Sequence, residues 1–407
     1  MRIKSIIILS ILFVLSSLCL SQDRIKIATY NILNYPNFAN EKNPDFQRIL
    51  NDINPDIITV QEILSQSAVN LFKDDVLGSE YSAATFVNGP DTDNALFYKD
   101  SLFTLNNVDF LPTSPRYITF YELYNNFTLD TLIIYVAHFK AGNSPQDEAN
   151  RLNEASIFRI FSDMLPENSN FMFVGDLNLY RATEPAYEKL LNQSTQGYVL
   201  DPINRSGSWH NNSGYADIHT QSPRTAQLPD GGSNGGMDDR FDFILISQAV
   251  KDSGGIEYIE DTYFTYGNDG QHFNQQIINP PYPISLEIAF ALHDVSDHLP
   301  VVAEFYFGKV SSVEPTDPSN LSFQLYQNYP NPFNPVTKIK FEVQNTTEAK
   351  LVLYDILGRK LKTLFEGEAE AGITEITLSA DDLNSGVYFY SLITANQISS
   401  KKLIVLK

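Results

Sequence analysis

The sequence predicts an α/β protein of packed sheets covered by helices, followed by a small all-β sandwich. Three observations predict it. Up to about residue 307, short apolar runs alternate with helical spacing. A polar stretch with two prolines, residues 309–320 (KVSSVEPTDPSN), then interrupts the chain. Beyond it helical periodicity disappears, and short β-branched strands recur between turns such as Asn331-Pro332 and Asn384-Ser385-Gly386.

Taken in order, the chain starts like a signal peptide spanning residues 1–21. Arg2 and Lys4 form a charged start, residues 6–15 an apolar centre and residues 16–21 a small, polar-leaning end. The only cysteine, Cys19, lies inside it. Leu18 precedes that cysteine where a lipoprotein signal wants a small residue, so cleavage before Gln22 is expected rather than a lipid anchor. The mature chain then has no disulfide and no thiolate metal site.

Buried strands are expected at Ile25 to Tyr30, Ile57 to Val60, Ala95 to Tyr98, Leu132 to Val136, Phe171 to Val174, Phe241 to Ile246 and Val301 to Phe305. Phe46, Ile49, Leu50 and Ile53 follow helical spacing behind an Asn43-Pro44 start signal. Ser144-Pro145 opens a longer helix with Ile157, Phe161, Met164 and Leu165 on one face. The expected division is a large α/β domain at 22–308, a linker at 309–322 and a β-sandwich at 323–407.

Of 407 residues, 28 are basic and 49 acidic, a formal charge of -21. That balance argues against a broad basic surface for gripping nucleic acid, although bound cations can supply positive charge where a phosphate sits. Beyond the N-terminus no stretch is long and apolar enough to span a bilayer, and no stable membrane insertion is expected.

A pattern recurs in these strands: an apolar run is flanked by a polar residue able to do chemistry. They deliver Asn31, Gln61-Glu62, His138, Asp176 with Asn178, Asp242, and Asp297-His298. Rigid strands are good places from which to converge side chains. Carboxylates with asparagines and histidines are hard ligands that suit Mg²⁺, Mn²⁺ or Ca²⁺. A carboxylate-held cation neutralises a transferring phosphoryl group, and a carboxylate or a His–Asp pair can deprotonate water. Three of them also have a plainer reading: Asn31 as a strand cap, Asp242 as a partner for Arg240, His138 as a buried structural histidine. Lys140 and Arg151 are placed to meet either a substrate phosphate or solvent. His210 and His272, in long loops, are expected at the surface.

Six motifs occur in one order: Thr29-Tyr30-Asn31, Gln61-Glu62, Ala137-His138, Gly175-Asp176-Leu177-Asn178, Arg240-Phe241-Asp242 and Ser296-Asp297-His298. Together they resemble the endonuclease/exonuclease/phosphatase superfamily, which includes deoxyribonuclease I, over about residues 23–307. The resemblance implies a four-layer α/β/β/α sandwich with its site at one edge of two sheets. It implies Glu62 as the main metal ligand with Asn31 beside it, and Asp297 as a second ligand or site carboxylate. Asp176 would position or activate water, and Asn178 would bond the phosphate. His298, oriented by Asp242, would act as base or transition-state donor. His138 would bond phosphate or protonate the leaving oxygen, and Lys140 would contact substrate. In deoxyribonuclease I a glutamate supports this histidine; here the nearest candidates are Asp91 and Asp93.

Tyr329-Pro330-Asn331-Pro332-Phe333-Asn334-Pro335, Leu353-Tyr354-Asp355-Ile356-Leu357-Gly358-Arg359 and Gly386-Val387-Tyr388-Phe389-Tyr390 resemble the C-terminal sorting domain of type IX secretion cargo. That implies the type IX secretion machinery as partner and a secreted or cell-surface location. The expected activity is a secreted, metal-dependent phosphodiesterase, a nuclease acting on DNA or RNA. The alternatives are a phospholipid phosphodiesterase, a small-molecule phosphatase and a catalytically silent binding protein. The polar, glycine-rich stretch 193–239 argues against membrane insertion.

Overall fold

The computed structural model describes residues 23–252, 254–282, 284–308, 323–355, 360–394 and 398–407. The expected signal peptide and linker, and residues 356–359 of the C-terminal motif, lie outside the described residues.

The first half runs β1 (Asp23–Tyr35), α1 (Ala39–Ile53), β2 (Ile57–Ile63), α2 (Gln66–Phe72), β3 (Tyr81–Ala83), β4 (Asp93–Lys99), β5 (Phe103–Leu111), β6 (Ile118–Asn125) and β7 (Thr131–His138). Then come α3 (Pro145–Ser162), β8 (Phe171–Asp176), α4 (Pro185–Leu191), β9 (Asp242–Ile246), α5 (Gln248–Lys251), β10 (Ile256–Tyr258), β11 (Phe264–Thr265), α6 (Leu286–Val295) and β12 (Val301–Phe307). One sheet is ordered β10-β12-β1-β2-β4-β3, with β11 also paired to β12, and a second is ordered β5-β6-β7-β8-β9.

Three apolar layers separate four layers of structure. Period-two alternation sends Ile25 and Ile27 of β1 between the sheets and Ala28, Tyr30 and Ile32 toward the helices. In β7, Leu132, Ile134 and Val136 face the other sheet, whereas Ile133 and Tyr135 face α3. The helices α1, α2 and α6 cover the first sheet, and α3 and α4 cover the second. The result is the α/β/β/α sandwich.

All seven expected strands are present, and five more, β3, β5, β6, β10 and β11, were not foreseen. β5 is interrupted by Asn106-Asn107 and bulges between Leu105 and Asn107 against β6, which erases its alternation. The first helix starts a turn before Asn43-Pro44. Glu41 and Lys42 bond back to the carbonyl of Phe38, so Pro44 falls early in the helix, where its missing N–H removes a single bond. The second helix opens as expected: Ser144 caps the N–H of Asp147, and the Asp147 carboxylate accepts the Ser144 N–H.

The C-terminal strands are β13 (Phe323–Leu325), β14 (Val336–Val343), β15 (Thr347–Asp355), β16 (Lys360–Ala369), β17 (Gly372–Ser379), β18 (Gly386–Thr394) and β19 (Ile398–Val405). They form sheets β13-β14-β17 and β16-β15-β18-β19, with Ile339, Phe341, Leu351, Leu353, Tyr390 and Leu403 between them. On the other face of β15, the Tyr354 ring packs tilted against Phe161 at 5.6 Å between ring centroids, and its hydroxyl donates to Met164 Sδ at 2.8 Å.

Candidate active site

The two sheets meet at an edge where their strand ends carry polar side chains. The first sheet supplies Asn31 from β1, Glu62 from β2, and Asp297 and His298 from the turn before β12. The second supplies a row across three neighbouring strands, because His138 pairs in register with Asp176 and Asp176 with Asp242. Gly175, at φ 125°, permits this row: a Cβ there would sit 2.0 Å from the Ala137 carbonyl oxygen.

Asn31 ties the two edges together. Its Nδ2 donates to Glu62 Oε1 at 3.0 Å and to Asp176 Oδ2 at 3.1 Å, while its Oδ1 accepts the Leu33 N–H at 3.1 Å. The amide therefore orients carboxylates, and its oxygen is engaged by the backbone. The Asn34 N–H reaches Glu62 Oε2 at 3.1 Å. Glu62, at φ 63°, and Asn178, at φ 49°, both adopt the left-handed conformation. That costs a side-chain-bearing residue roughly 1–2 kcal/mol, a strain that tends to cluster at functional sites.

Both histidines face Asp176. His298 Nδ1 lies 2.7 Å from Asp242 Oδ2, and its Nε2 lies 3.6 Å from Asp176 Oδ2. His138 Nε2 is 3.4 Å from the same oxygen and 4.0 Å from Glu62 Oε1. The Asp176 Oδ1 accepts the Asn178 N–H at 3.1 Å, and Asn178 Nδ2 donates to the Phe139 carbonyl at 3.2 Å. Thr220 Oγ1 accepts the N–H groups of Phe241 and Asp242 at 3.0 and 3.2 Å, which holds the start of β9. Asp297 Oδ2 accepts the Ser233 N–H at 2.6 Å.

Burial, with Asp242 and Glu62 nearby, pushes the Asp176 carboxyl up to about 7 against the opposing pull of His298 and Asn31. Burial and Asp297 push Glu62 upward too. Burial, with Arg116 and His298 alongside, holds His138 well below the usual histidine value. For His298 burial opposes the charge, yet Asp242 and Asp176 together hold it well above. The donors are oxygen and nitrogen throughout, and ligand atoms of Asp176, Asp242 and His298 lie within 4.8 Å of one another. Among the described residues, no lysine or arginine hydrogen-bonds Glu62 or Asp176. Buried carboxylates so arranged fit a hard divalent cation.

Residues 28–298 match the family model described as Endonuclease/Exonuclease/phosphatase family. The chain belongs to this family. Its members are phosphoric ester hydrolases, and that is the chemistry this fold carries here. Residues 327–406 match the secretion system C-terminal sorting domain, which marks the chain as type IX secretion cargo. Similar solved structures include an endonuclease/exonuclease/phosphatase family protein from Bacteroides thetaiotaomicron. It is 15% identical over 70% of this chain and 99% of that one, with a TM-score of 0.46. A truncated Caenorhabditis elegans TDP2 is 17% identical over 70% of this chain and 98% of its own, also at 0.46. A humanized D. rerio TDP2 is 14% identical over 69% and 98%, again at 0.46. No curated protein sequence matches.

Other expectations for this family member need correction. Lys140 does not join the cluster; its Nζ pairs with Asp147 Oδ1 at 3.1 Å and caps the Ala141 carbonyl at 2.6 Å. Arg151 is fully buried, paired to Glu184 at 2.8 Å, and clamps the carbonyls of Lys140 and Gly142. Arg240 pairs with Asp201 at 2.7 Å, which leaves Asp242 to His298. His272 is buried between Asp269 Oδ1 and the Asn279 carbonyl rather than at the surface, while His210 is half exposed and bonds Asp239 at 2.7 Å. Neither Asp91 nor Asp93 supports His138: Asp91 pairs with Arg116 at 3.2 Å and Asp93 accepts the Gly89 N–H. The His138 Nδ1 has no hydrogen-bond partner among the described residues. Two site residues carried no sequence signal. Arg116, in the loop before β6, reaches the Phe139 carbonyl that Asn178 also bonds, at 3.4 Å. Gln221, in the polar stretch, contacts His298 and Asp297.

Proposed function

We propose that this chain is a secreted, divalent-cation-dependent phosphodiesterase that cuts DNA or RNA outside the cell. One observation carries the reading: Glu62, Asp176 and Asn31 meet two histidines, one of them held by Asp242, at the joint edge of two sheets. Glu62, with Asp297 nearby, would hold Mg²⁺, or Mn²⁺ or Ca²⁺ in its place. When bound, that ion neutralises charge on the transferring phosphoryl group.

The chain's own groups do the rest. Asp176, held by the Asn31 amide and the Asn178 N–H, is placed to orient a water and take its proton. His298 donates to a phosphate oxygen while Asp242 balances its charge. His138 stays neutral and offers one N–H to phosphate, which disfavours it as an imidazolium acid. Asn178 and Arg116, joined at the Phe139 carbonyl, add a neutral and a charged donor for phosphate oxygens.

Nucleic acid is favoured by the family and by the sorting domain, which puts the catalyst outside the cell. A lipid substrate is disfavoured because, among the described residues, no large exposed apolar side chain falls in 193–239. The test is purified protein with plasmid DNA, total RNA and sphingomyelin, with each cation or with chelator, beside His298→Ala. The expected outcome is cation-dependent nucleic-acid cleavage that disappears in the variant. Cleavage of the lipid alone would move the same residues to a phospholipase, and no turnover at all would sink the reading.

A further inference from the structure

We infer that Gln221 is a positioning residue for His298, pinning the imidazole at the ring nitrogen that Asp242 leaves free. This rests on the phosphodiesterase reading for its role in turnover, but the geometry stands apart from it. The Gln221 amide lies 2.6 Å from His298 Nε2 and 3.3 Å from Asp297 Oδ2. On its other side the ring is held by Asp242 at 2.7 Å. A ring bonded at both nitrogens cannot turn about its Cβ–Cγ bond without breaking one contact. With Nε2 protonated it is the amide oxygen that must face the ring, as an acceptor for its N–H.

The backbone of Gln221 is fixed as firmly as its side chain. Its carbonyl accepts the N–H groups of Asp238 and Asp239 at 2.9 and 3.0 Å, and its own N–H donates to the Asp239 carbonyl at 3.1 Å. Isolated bridges pair it with both His298 and Asp239. The next residues of the loop are anchored as well: Arg224, fully buried, bonds Asp230 and the His293 and Asp294 carbonyls. Gly232, at φ 79°, lies so close to Asp297 that a Cβ would fall 2.8 Å from the carboxyl carbon. A strap this constrained delivers one polar side chain to the ring edge. A reacting phosphate oxygen would approach from the side of Asp176 Oδ2, 3.6 Å from the same nitrogen, and take the N–H over from the amide.

The test replaces the amide without disturbing the strap. Gln221→Met keeps reach and volume and loses both polar atoms. With the cation present, kcat should fall by about 10- to 100-fold while KM stays within about twofold, because the loss is in the transition state. In ¹⁵N-histidine-labelled full-length protein, which has six histidines, the His298 ring nitrogens should shift while His210 and His219 do not. Unchanged kcat with a lowered KM would overturn the proposal, since the amide would then only occupy a position that substrate takes. Unshifted ring nitrogens would overturn it too. If the parent cleaves no phosphodiester, the functional reading fails, but the ring signals still decide the role of Gln221.

Discussion

At the scale of single residues, the site depends on pairs rather than on isolated groups. Asp242 is fully buried and bonds His298, so the carboxylate sets both the ring's orientation and its charge. Asp242→Asn keeps the shape and removes the charge. It should lower kcat by about 10²- to 10⁴-fold with little change in KM, as expected for a misoriented or mischarged histidine. Steady-state kinetics at saturating cation checks this, and a parental kcat would remove Asp242 from the machinery. The residues of such pairs were legible in sequence wherever they flanked an apolar run: His138 and Asp176 close β7 and β8, Glu62 is last but one in β2, and Asp242 opens β9. Gln221 and Arg116 were not, because they sit in polar loops whose composition looks alike along their whole length. Nor did spacing reveal that Asn31 spends its oxygen on Leu33, or that Arg151 turns inward to Glu184.

At the scale of elements, α3 does more than cover a sheet. Glu154, buried on its inner face, accepts the Lys140 N–H at 3.0 Å and so fixes the chain leaving His138. Burial pushes its carboxyl up to about 8, against the opposing Lys140 N–H and the charges of Arg116 and Arg151. A folded-state value above the unfolded one means the folded protein binds the extra proton. Stability from this group is therefore full at low pH and lost as pH rises between about 4.5 and 8. Glu154→Gln keeps an acceptor without the charge. It should raise the unfolding midpoint relative to the parent at pH 8.5 and much less at pH 5. Equal shifts at the two pH values would show that Glu154 is not the titrating group. The same helix shows what sequence reads well: its Ser144-Pro145 start is local and was visible, as was the apolar face through Ile157 and Phe161, although Met164 and Leu165 fall past its end at Ser162. The start of α1 was not, because bonds to the left-handed Phe38 extend it beyond the proline signal, and β5 was hidden by its bulge.

At the scale of the whole molecule, the sorting domain is carried on the far side of the enzyme. It meets the catalytic sandwich through Tyr354 on Phe161 and Met164, and through the Ser400 N–H bonded to Asp109 on β5. β5 is the edge of the second sheet opposite β9, while the site is built from β7, β8 and β9. Phe161 lies two turns of α3 beyond Glu154, about 10 Å further from the strand ends. Among the described residues, no hydrogen bond of Asn31, Glu62, His138, Asp176, Asp242 or His298 reaches residues 323–407. A chain ending at residue 308 should therefore keep kcat/KM within about twofold of the full protein. It should nevertheless unfold at a lower temperature, because Phe161 and the partly buried Met164 lose their cover and gain contact with water. Tyr354→Ala in the full chain separates the two effects, giving part of the stability loss with no truncation. Loss of turnover on truncation, with the fold intact, would mean that the tail reaches the site by a route other than these contacts.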